Sequence, residues 1–113
     1  MLDLKKWMTK VTNMFTDICY FDKGITTSYS AGTIGTRGSQ VNFDNPMPSS
    51  YYIAGIYIRY IGDSSRYHPL AFYDSNANKF YVNFYRCDSS AVSNASVTIR
   101  IMYTKTAWGG VSS

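Results

Sequence analysis

The sequence predicts a mainly β protein, in which an N-terminal amphipathic helix is followed by a six-stranded antiparallel β-sandwich. The first observation is a change of hydrophobic period at Cys19, from the three-and-four spacing of a helix to the two-residue alternation of strands. The second is composition: 11 of the 113 residues are Tyr and all 7 acidic residues are Asp, which favours strands and turns. The third is that turn-forming residues separate the alternating segments. We therefore expect a helix at residues 1–18 and one sandwich domain at residues 19–113.

The first 18 residues have the pattern of a short helix. Asp3 is a suitable N-cap, and Lys5, Lys6 and Lys10 lie on the polar face. The apolar spacing also forms about two heptads, fewer than a stable coiled coil needs. Two arrangements remain open: the helix covers its own sandwich, or it bundles with two symmetry mates. The candidate oligomerisation residues on the apolar face are Leu4, Trp7, Val11, Met14 and Ile18.

Strands are predicted wherever apolar and polar residues alternate. In the fifth strand Phe80, Val82 and Phe84 alternate with more polar residues, so we expect these three to point into the core. The third strand, YYIAGIYIRYI, is apolar on both faces, which predicts a central strand that is covered by the core on one side and by another subunit or the helix on the other. The six predicted strands are residues 20–30, 39–43, 51–61, 67–73, 79–87 and 96–104.

Strand alternation assigns the loops to two ends of the sandwich. Loops 31–38, 62–66 and 88–95 should lie together at what we call the far end, opposite the end where the helix enters. Cys19 and Cys87 are then separated by the length of a strand, roughly 30 Å. A disulfide requires Cα atoms within about 7 Å. We therefore expect two free cysteines.

No motif predicts catalysis, a cofactor or a metal site. His68 is the only histidine, and most Asp residues stand beside turn formers, so no base is paired with a nucleophile. The segment DSNAN at 74–78 begins like a calcium loop, but Lys79 and Tyr85 occupy the positions that require Gly and Glu. The segment GTIGTRGS at 32–39 lacks the Lys and the following helix of a phosphate loop, which leaves a flexible turn or a ligand-facing loop. We expect a non-enzymatic protein without a cofactor.

The segment NKFYVNFYR at 78–86 combines basic and aromatic residues, as nucleic-acid-binding sheets do. However, Asn78 stands where the RNA-recognition signature has Gly, and the two helices of that fold are not predicted. The net charge of +4 owes much to the lysines of the helix. A single-stranded nucleic-acid-binding β-barrel is therefore kept only as a third alternative, and no nucleic-acid partner is expected.

A longer pattern runs through GTIGTRGSQVNFDNPMPSSYYIAGIYIRYIGDSS, NKFYVNFYR and ASVTIRIMYT. It consists of V-x-F, a Pro-containing turn, a long strand, F-x-V-x-F and a closing V-x-I-x-I-x-Y. Over residues 25–104 it resembles the C-terminal domains of bacteriophage and prophage tail-fibre or receptor-binding proteins, and it is similar to the layout of H-type lectins. The resemblance implies a trimeric sandwich that binds a host surface without catalytic activity. It transfers no lectin site residue to this sequence.

These observations predict a trimeric phage fibre module that binds a host cell-surface glycan. The alternative is a structural virion component, of the baseplate, fibre or head decoration, that binds another virion protein. No segment approaches about 18 consecutive apolar residues, so membrane insertion is not expected. The N-terminus lacks the pattern of a signal peptide, so we expect synthesis in the bacterial cytoplasm and assembly into a virion. The candidate ligand-binding residues are polar residues of the far-end loops: Arg37, Asp63, Arg66, Asp88 and Asn94.

Overall fold

The computed structural model of the protein describes residues 4, 5, 8 and 18–105. All six predicted strands are confirmed, although the last begins at Val92 rather than at residue 96. The predicted helix at residues 1–18 falls almost wholly outside the described residues and is not confirmed. The strands are β1 (Cys19–Tyr29), β2 (Arg37–Asp44), β3 (Tyr52–Ile61), β4 (Tyr67–Asp74), β5 (Lys79–Arg86) and β6 (Val92–Thr104).

The six antiparallel strands form two sheets of three strands each. Sheet 1 has the order β1-β6-β3 and sheet 2 the order β2-β5-β4, so β6 and β5 are the middle strands. These two strands show the clearest alternation of apolar residues in the sequence. A middle strand has neighbours on both sides, so its inward side chains are the most completely covered.

The prediction that the third strand is central was wrong. β3 is an edge strand of sheet 1, and the four consecutive residues from Tyr57 to Tyr60 are all exposed. An edge strand has a hydrogen-bonded neighbour on one side only, so its side chains are covered less completely than those of a middle strand. An apolar sequence on both faces therefore marked an exposed edge and not a buried centre, and exposed edges of this kind are typical interaction surfaces.

The described residues divide into two compact units. The first consists of Asp22–Pro46 and Ile56–Arg100 and includes the whole of sheet 2. Its core contains Phe80, Val82 and Phe84, each 0–1% exposed, as the alternation predicted. Burying one such side chain contributes about 1.5–3 kcal/mol to stability, so this row accounts for a large share of the packing energy.

The second unit includes Met47–Gly55 and the segment that starts at Ile101. Tyr51 packs edge-on against Tyr103, with ring centroids 6.5 Å apart and an interplanar angle of 85°. Lys105 Nζ lies 5.4 Å from the centroid of the Tyr51 ring, in the geometry of a cation–π contact. Aromatic contacts therefore hold this smaller unit together.

Sheet 2 has a regular register with one bulge, between Arg37 and Ser39 in β2. Gly38 occupies the bulge, where a Cβ atom would lie 2.7 Å from the ring of Tyr29 in β1. Thr27 Oγ1 in β1 and Ser39 Oγ are hydrogen-bonded at 2.9 Å. The absence of a side chain at Gly38 thus allows the two sheets to approach at this point.

An ion cluster ties the three strands of sheet 1 together. Arg100 of β6 binds Asp22 of β1 through two hydrogen bonds, Nε to Oδ1 at 2.8 Å and Nη2 to Oδ2 at 3.0 Å. Arg59 of β3 also donates to Asp22 Oδ2, at 2.6 Å. The hydrogen bond from Arg100 is the main reason why the pKa of Asp22 is lowered, and the charge of Arg59 acts in the same direction.

Both cysteines are free, as predicted. Cys87 is exposed, and Cys19 is partly exposed. Within the part of the chain that the structure describes, no helix has the length and hydrophobicity of a membrane-spanning segment.

Candidate functional site

The three far-end loops contact one another through backbone hydrogen bonds. Gly32 N donates to Ser89 O at 3.1 Å, which joins the first loop to the third. Cys87 N donates to Arg66 O at 2.9 Å, which joins the end of β5 to the second loop. The predicted grouping of these loops at one end is therefore confirmed, and the end is built as a connected surface.

Two Asp-Ser-Ser sequences form the same turn in this surface. Asp63 Oδ1 accepts hydrogen bonds from Ser65 N at 3.2 Å and from Ser65 Oγ at 2.6 Å. Asp88 Oδ1 accepts the matching bonds from Ser90 N at 3.0 Å and from Ser90 Oγ at 2.7 Å. Each carboxylate thus closes its own turn with one oxygen, the usual role of Asp in such loops. The other oxygen of each carboxylate takes no part in its turn.

Arg66 connects the second loop to the third. Its Nη2 donates to Ser90 Oγ at 2.9 Å, and its Nε lies 3.6 Å from Asp88 Oδ2. The side chains of Arg66 and Asp88 are 40% and 43% exposed, so water screens this ion pair strongly. The pKa of Asp88 is lowered, first by the hydrogen bonds from Ser90 and then by the charge of Arg66. Asp88 therefore stays ionised at neutral pH and orients the guanidinium.

The hydroxyl of Tyr67 holds the second loop against β6. The side chain is 1% exposed, and its oxygen accepts from Asp63 N at 3.0 Å and from Ser96 N at 2.8 Å. The same hydroxyl donates to Ser96 O at 3.0 Å, which uses its hydrogen-bonding capacity fully. Gly62 lies so close that a Cβ atom there would come within 2.8 Å of the Tyr67 oxygen. Glycine is therefore required where the chain turns past this hydroxyl.

These contacts surround a pocket of about 270 Å³. Tyr60, 59% exposed, supplies an aromatic ring, and Asp63, Arg66 and Asn94 supply a carboxylate, a guanidinium and an amide. A volume at the lower end of the range for small-molecule sites suits one or two sugar units. Hydroxyl groups hydrogen-bond well to this mixture of donors and acceptors. The other residues that line the pocket are Gly62, Tyr67, Val92, Ser93 and Ser96.

A second, more open pocket of about 490 Å³ lies beside the first. The two pockets share Val92 and Ser93, at the start of β6. Tyr29, the serines on either side of it and Ala91 complete its lining. The start of β6 therefore contributes to both pockets.

The structure brings most of the predicted ligand-binding residues together. Asp63, Arg66 and Asn94 line the first pocket, and Asp88 contacts Arg66. Arg37 is not among the lining residues; it stands at the start of β2, where its carbonyl oxygen accepts a bond from Arg86. Among the described residues, no three His, Cys, Asp or Glu side chains are arranged to hold a metal ion.

The predicted oligomerisation residues are mostly outside the described residues. Trp7, Val11 and Met14 are not described, whereas Leu4 is 64% exposed and Ile18 is partly exposed. The two arrangements of the N-terminal segment therefore stay open.

Arg86, which the sequence analysis did not single out, organises the glycine-rich loop. Its Nη1 donates to Thr36 Oγ1 at 2.7 Å and its Nη2 to Ser30 O at 3.1 Å. The guanidinium carbon lies 5.4 Å from the centroid of the Tyr29 ring. At Gly32 a Cβ atom would lie 2.6 Å from the same carbon. The loop is thus folded around an arginine, and the choice between a flexible turn and a ligand-facing loop stays a prediction.

Sequence reasoning also missed the two tyrosines of the pocket, Tyr60 and Tyr67. Both lie close to the GDSS turn: Tyr60 stands two residues before it, and Tyr67 directly follows Arg66. Both fall inside predicted strands, at residues 51–61 and 67–73, where a core tyrosine and a ligand-facing tyrosine have the same pattern. Their closeness to a turn rich in Asp and Ser was the available signal.

Comparison of the chain with models of protein families, with curated proteins and with solved structures finds no match. No matched protein therefore indicates what the far-end pocket binds.

Proposed function

We propose that the protein is a trimeric, non-enzymatic fibre module of a bacteriophage or prophage, and that its far-end pocket binds a glycan of the host cell surface. The observation that carries the proposal is the joining of an exposed ring, Tyr60, to the polar side chains of Asp63 and Asn94 in a pocket of about 270 Å³. An aromatic ring packs against the apolar face of a sugar, while carboxylate and amide groups bind its hydroxyls. The tail-fibre resemblance supplies the phage context.

Preorganisation supports this role. The second loop, which carries Asp63, is held against β6, which carries Asn94, by the hydroxyl of Tyr67, and the Asx turns and the link from Arg66 to Ser90 order the neighbouring loops. A site whose loops are already ordered loses less conformational entropy when a ligand binds. Weak binding at a single pocket is sufficient in a trimer, because three linked sites act together on a surface that displays many copies of a glycan.

A glycan array with the full chain tests the proposal. Tyr60→Ala should weaken binding to any glycan that is recognised by about tenfold or more, because it removes the ring of the pocket. Tyr57→Ala is the matched control: it removes a tyrosine from the same strand that is 54% exposed and does not line the pocket. Equal effects of the two substitutions, or no binding by a folded trimer, would refute glycan binding at this site.

Light scattering tests the trimer separately. The full chain should have three times the mass of one protomer. Deletion of residues 1–17 should reduce the assembly if the N-terminal segment bundles and should leave it unchanged if that segment covers its own sandwich. A monomeric full chain would contradict the fibre module.

The second candidate, a structural virion component that binds another virion protein, is favoured by the edge of β3. Tyr57, Ile58 and Tyr60 are 54%, 36% and 59% exposed there, and an unpaired apolar edge is a surface to which another chain can add a strand. Co-purification of a virion protein with the wild type, lost when Ile58→Lys is introduced, would favour this candidate over glycan binding.

A further inference from the structure

The outer face of sheet 2 carries a row of aromatic and amide side chains that the far-end pocket does not use. Because Phe80, Val82 and Phe84 of β5 are buried, the alternate residues of this middle strand point to the opposite face. The register places Asn42 and Phe72 on either side of Tyr81, and Gln40 and Leu70 on either side of Asn83. We call this surface the platform: Gln40, Asn42, Leu70, Phe72, Tyr81, Asn83 and Tyr85.

The apolar part of the platform is accessible. Phe72 and Tyr81 stack with ring centroids 5.4 Å apart and an interplanar angle of only 11°. Phe72 is 40% exposed, and Leu70, two residues before it in β4, is 50% exposed. The two nearly parallel rings lie against each other, and the exposed part of Phe72 lies near an exposed aliphatic side chain.

The polar part of the platform is ordered. Gln40 Nε2 donates to Asn83 Oδ1 at 2.8 Å, and Asn83 Nδ2 lies within 3.4 Å of the Tyr85 hydroxyl. Asn83 is 6% exposed although it belongs to an outer face, which shows how closely its neighbours surround it. A primary amide has two N–H donors and a carbonyl acceptor. The side chain of Gln40 therefore retains donor and acceptor capacity for a ligand beside the rings.

We propose that the platform is a second carbohydrate-binding surface, which takes an extended, uncharged glycan chain. The rings of Phe72 and Tyr81 pack against the apolar faces of sugars, and Gln40 and Asn42 bind hydroxyl groups. The inference goes beyond the proposed function, because the platform and the far-end pocket have no residue in common and each can fail without the other.

Charge distinguishes this ligand from a nucleic acid. At one end of the platform Lys79 stands between Asp44 and Asp74 in the register, and Lys79 Nζ lies 3.3 Å from Asp44 Oδ1. Arg37 stands opposite Tyr85 at the other end, so the face carries two cations and two anions and has no run of basic groups beside the stacked rings. A phosphate backbone needs basic groups along its path, whereas an uncharged sugar chain does not.

The size of the platform argues against a second copy of the chain as its occupant. The three strands have 8 residues each. With a rise of about 3.3 Å per residue and a strand spacing of about 4.8 Å, the face measures roughly 26 by 14 Å, or about 370 Å². A stable interface between two proteins buries about 800 Å² on each partner. A narrow ligand that lies along the strands fits these dimensions better than a subunit does.

Titration of the full, ¹⁵N-labelled chain with cellohexaose, laminarihexaose and mannohexaose, followed by amide NMR shifts, tests the proposal. With at least one of these neutral oligosaccharides, the amides of residues 70–72 and 81–83 should shift. Phe72→Ala should weaken that binding by about tenfold. Tyr57→Ala, on sheet 1, should leave it within about twofold. Thermal unfolding verifies that each variant is folded. Asn42→Ala is a second variant: it removes an exposed amide that should bind hydroxyl groups and leaves the aromatic pair intact.

Four outcomes would overturn the platform as a glycan surface. The first is the absence of any shift at these residues with all three oligosaccharides. The second is a set of shifts confined to the far-end pocket, at residues 60–67 and 92–96, which would leave the proposed function intact. The third is salt-sensitive binding of an oligothymidylate that Phe72→Ala weakens. The fourth is an oligomer that Phe72→Ala dissociates in light scattering. Shifts on the platform alone would instead support it and count against the pocket.

Discussion

Removing one oxygen atom, in Tyr67→Phe, should loosen the far end and destabilise the protein substantially. The hydroxyl accepts hydrogen bonds from two backbone amides, those of Asp63 and Ser96, and donates to the carbonyl oxygen of Ser96. The phenylalanine ring still fills the same core position, so no large cavity forms. The cost comes from two backbone N–H groups that lose their acceptor in a part-buried site.

The expected loss of stability follows from the number of backbone N–H groups that lose their acceptor. An unsatisfied buried donor costs about 1–3 kcal/mol. Because the pocket lets some water reach these amides, we expect about 2–4 kcal/mol in total for the two donors. Each kcal/mol lowers the melting temperature of a domain of this size by about 4–8 °C. Thermal unfolding should therefore show a decrease in melting temperature of about 8–32 °C. The loss is a large fraction of a typical total stability of about 5–15 kcal/mol.

Tyr73→Phe is the matched control. Its hydroxyl makes one bond, to the exposed Asn78 Oδ1 at 2.7 Å, so this substitution should cost less than about 1 kcal/mol. Hydrogen exchange by NMR adds a local readout, because only Tyr67→Phe should accelerate exchange at the amides of Asp63 and Ser96. Equal stability losses in the two variants, or unchanged exchange at both amides, would refute the assignment of Tyr67 as the residue that holds these loops.

Two further substitutions test the ion cluster and the glycine-rich loop. The pKa of Asp22 is lowered mainly by its hydrogen bond from Arg100, so its contribution to stability is present above the unfolded pKa and is lost as the pH falls through the folded value. Asp22→Asn should make urea unfolding less dependent on pH in this acidic range; an unchanged dependence would contradict the assignment. Gly32→Ala should cost about 1–2 kcal/mol, because the new Cβ displaces the guanidinium of Arg86. Gly24→Ala, where nothing lies within 4 Å, is its control and should change stability by less than about 0.5 kcal/mol in the same denaturant assay.

Arg37 and Arg86 show where sequence reasoning about the site failed. Arg37 was chosen as a ligand-binding residue because it stands in a glycine-rich loop. Arg86 was passed over because it stands at the end of an alternating strand, yet it makes the bonds to Ser30 and Thr36 that order the loop. The partners of Arg86 lie about 50 residues away in the chain, and no local pattern contains them.

The pocket illustrates the same limit in a different way. Asp63, Arg66 and Asn94 were correctly grouped at one end, because strand direction alone places the second loop beside the start of β6, where Asn94 lies. Tyr60 could not be added to them, since its exposure depends on β3 being an edge strand. The apolar pattern of β3 is compatible with either position in a sheet.

The sequence by itself determined the number of strands, their limits within a few residues, the loops that share an end and the two free cysteines. These properties follow from side-chain alternation and turn chemistry, which are local, and from strand length, which increases by a fixed rise per residue. Only the tertiary structure decided that β3 is an edge, that Tyr67 and Arg86 hold the far-end loops, and that stacked rings and amides share the outer face of sheet 2. Those properties depend on which strands pair and in what register, and such contacts are formed between residues far apart in the chain.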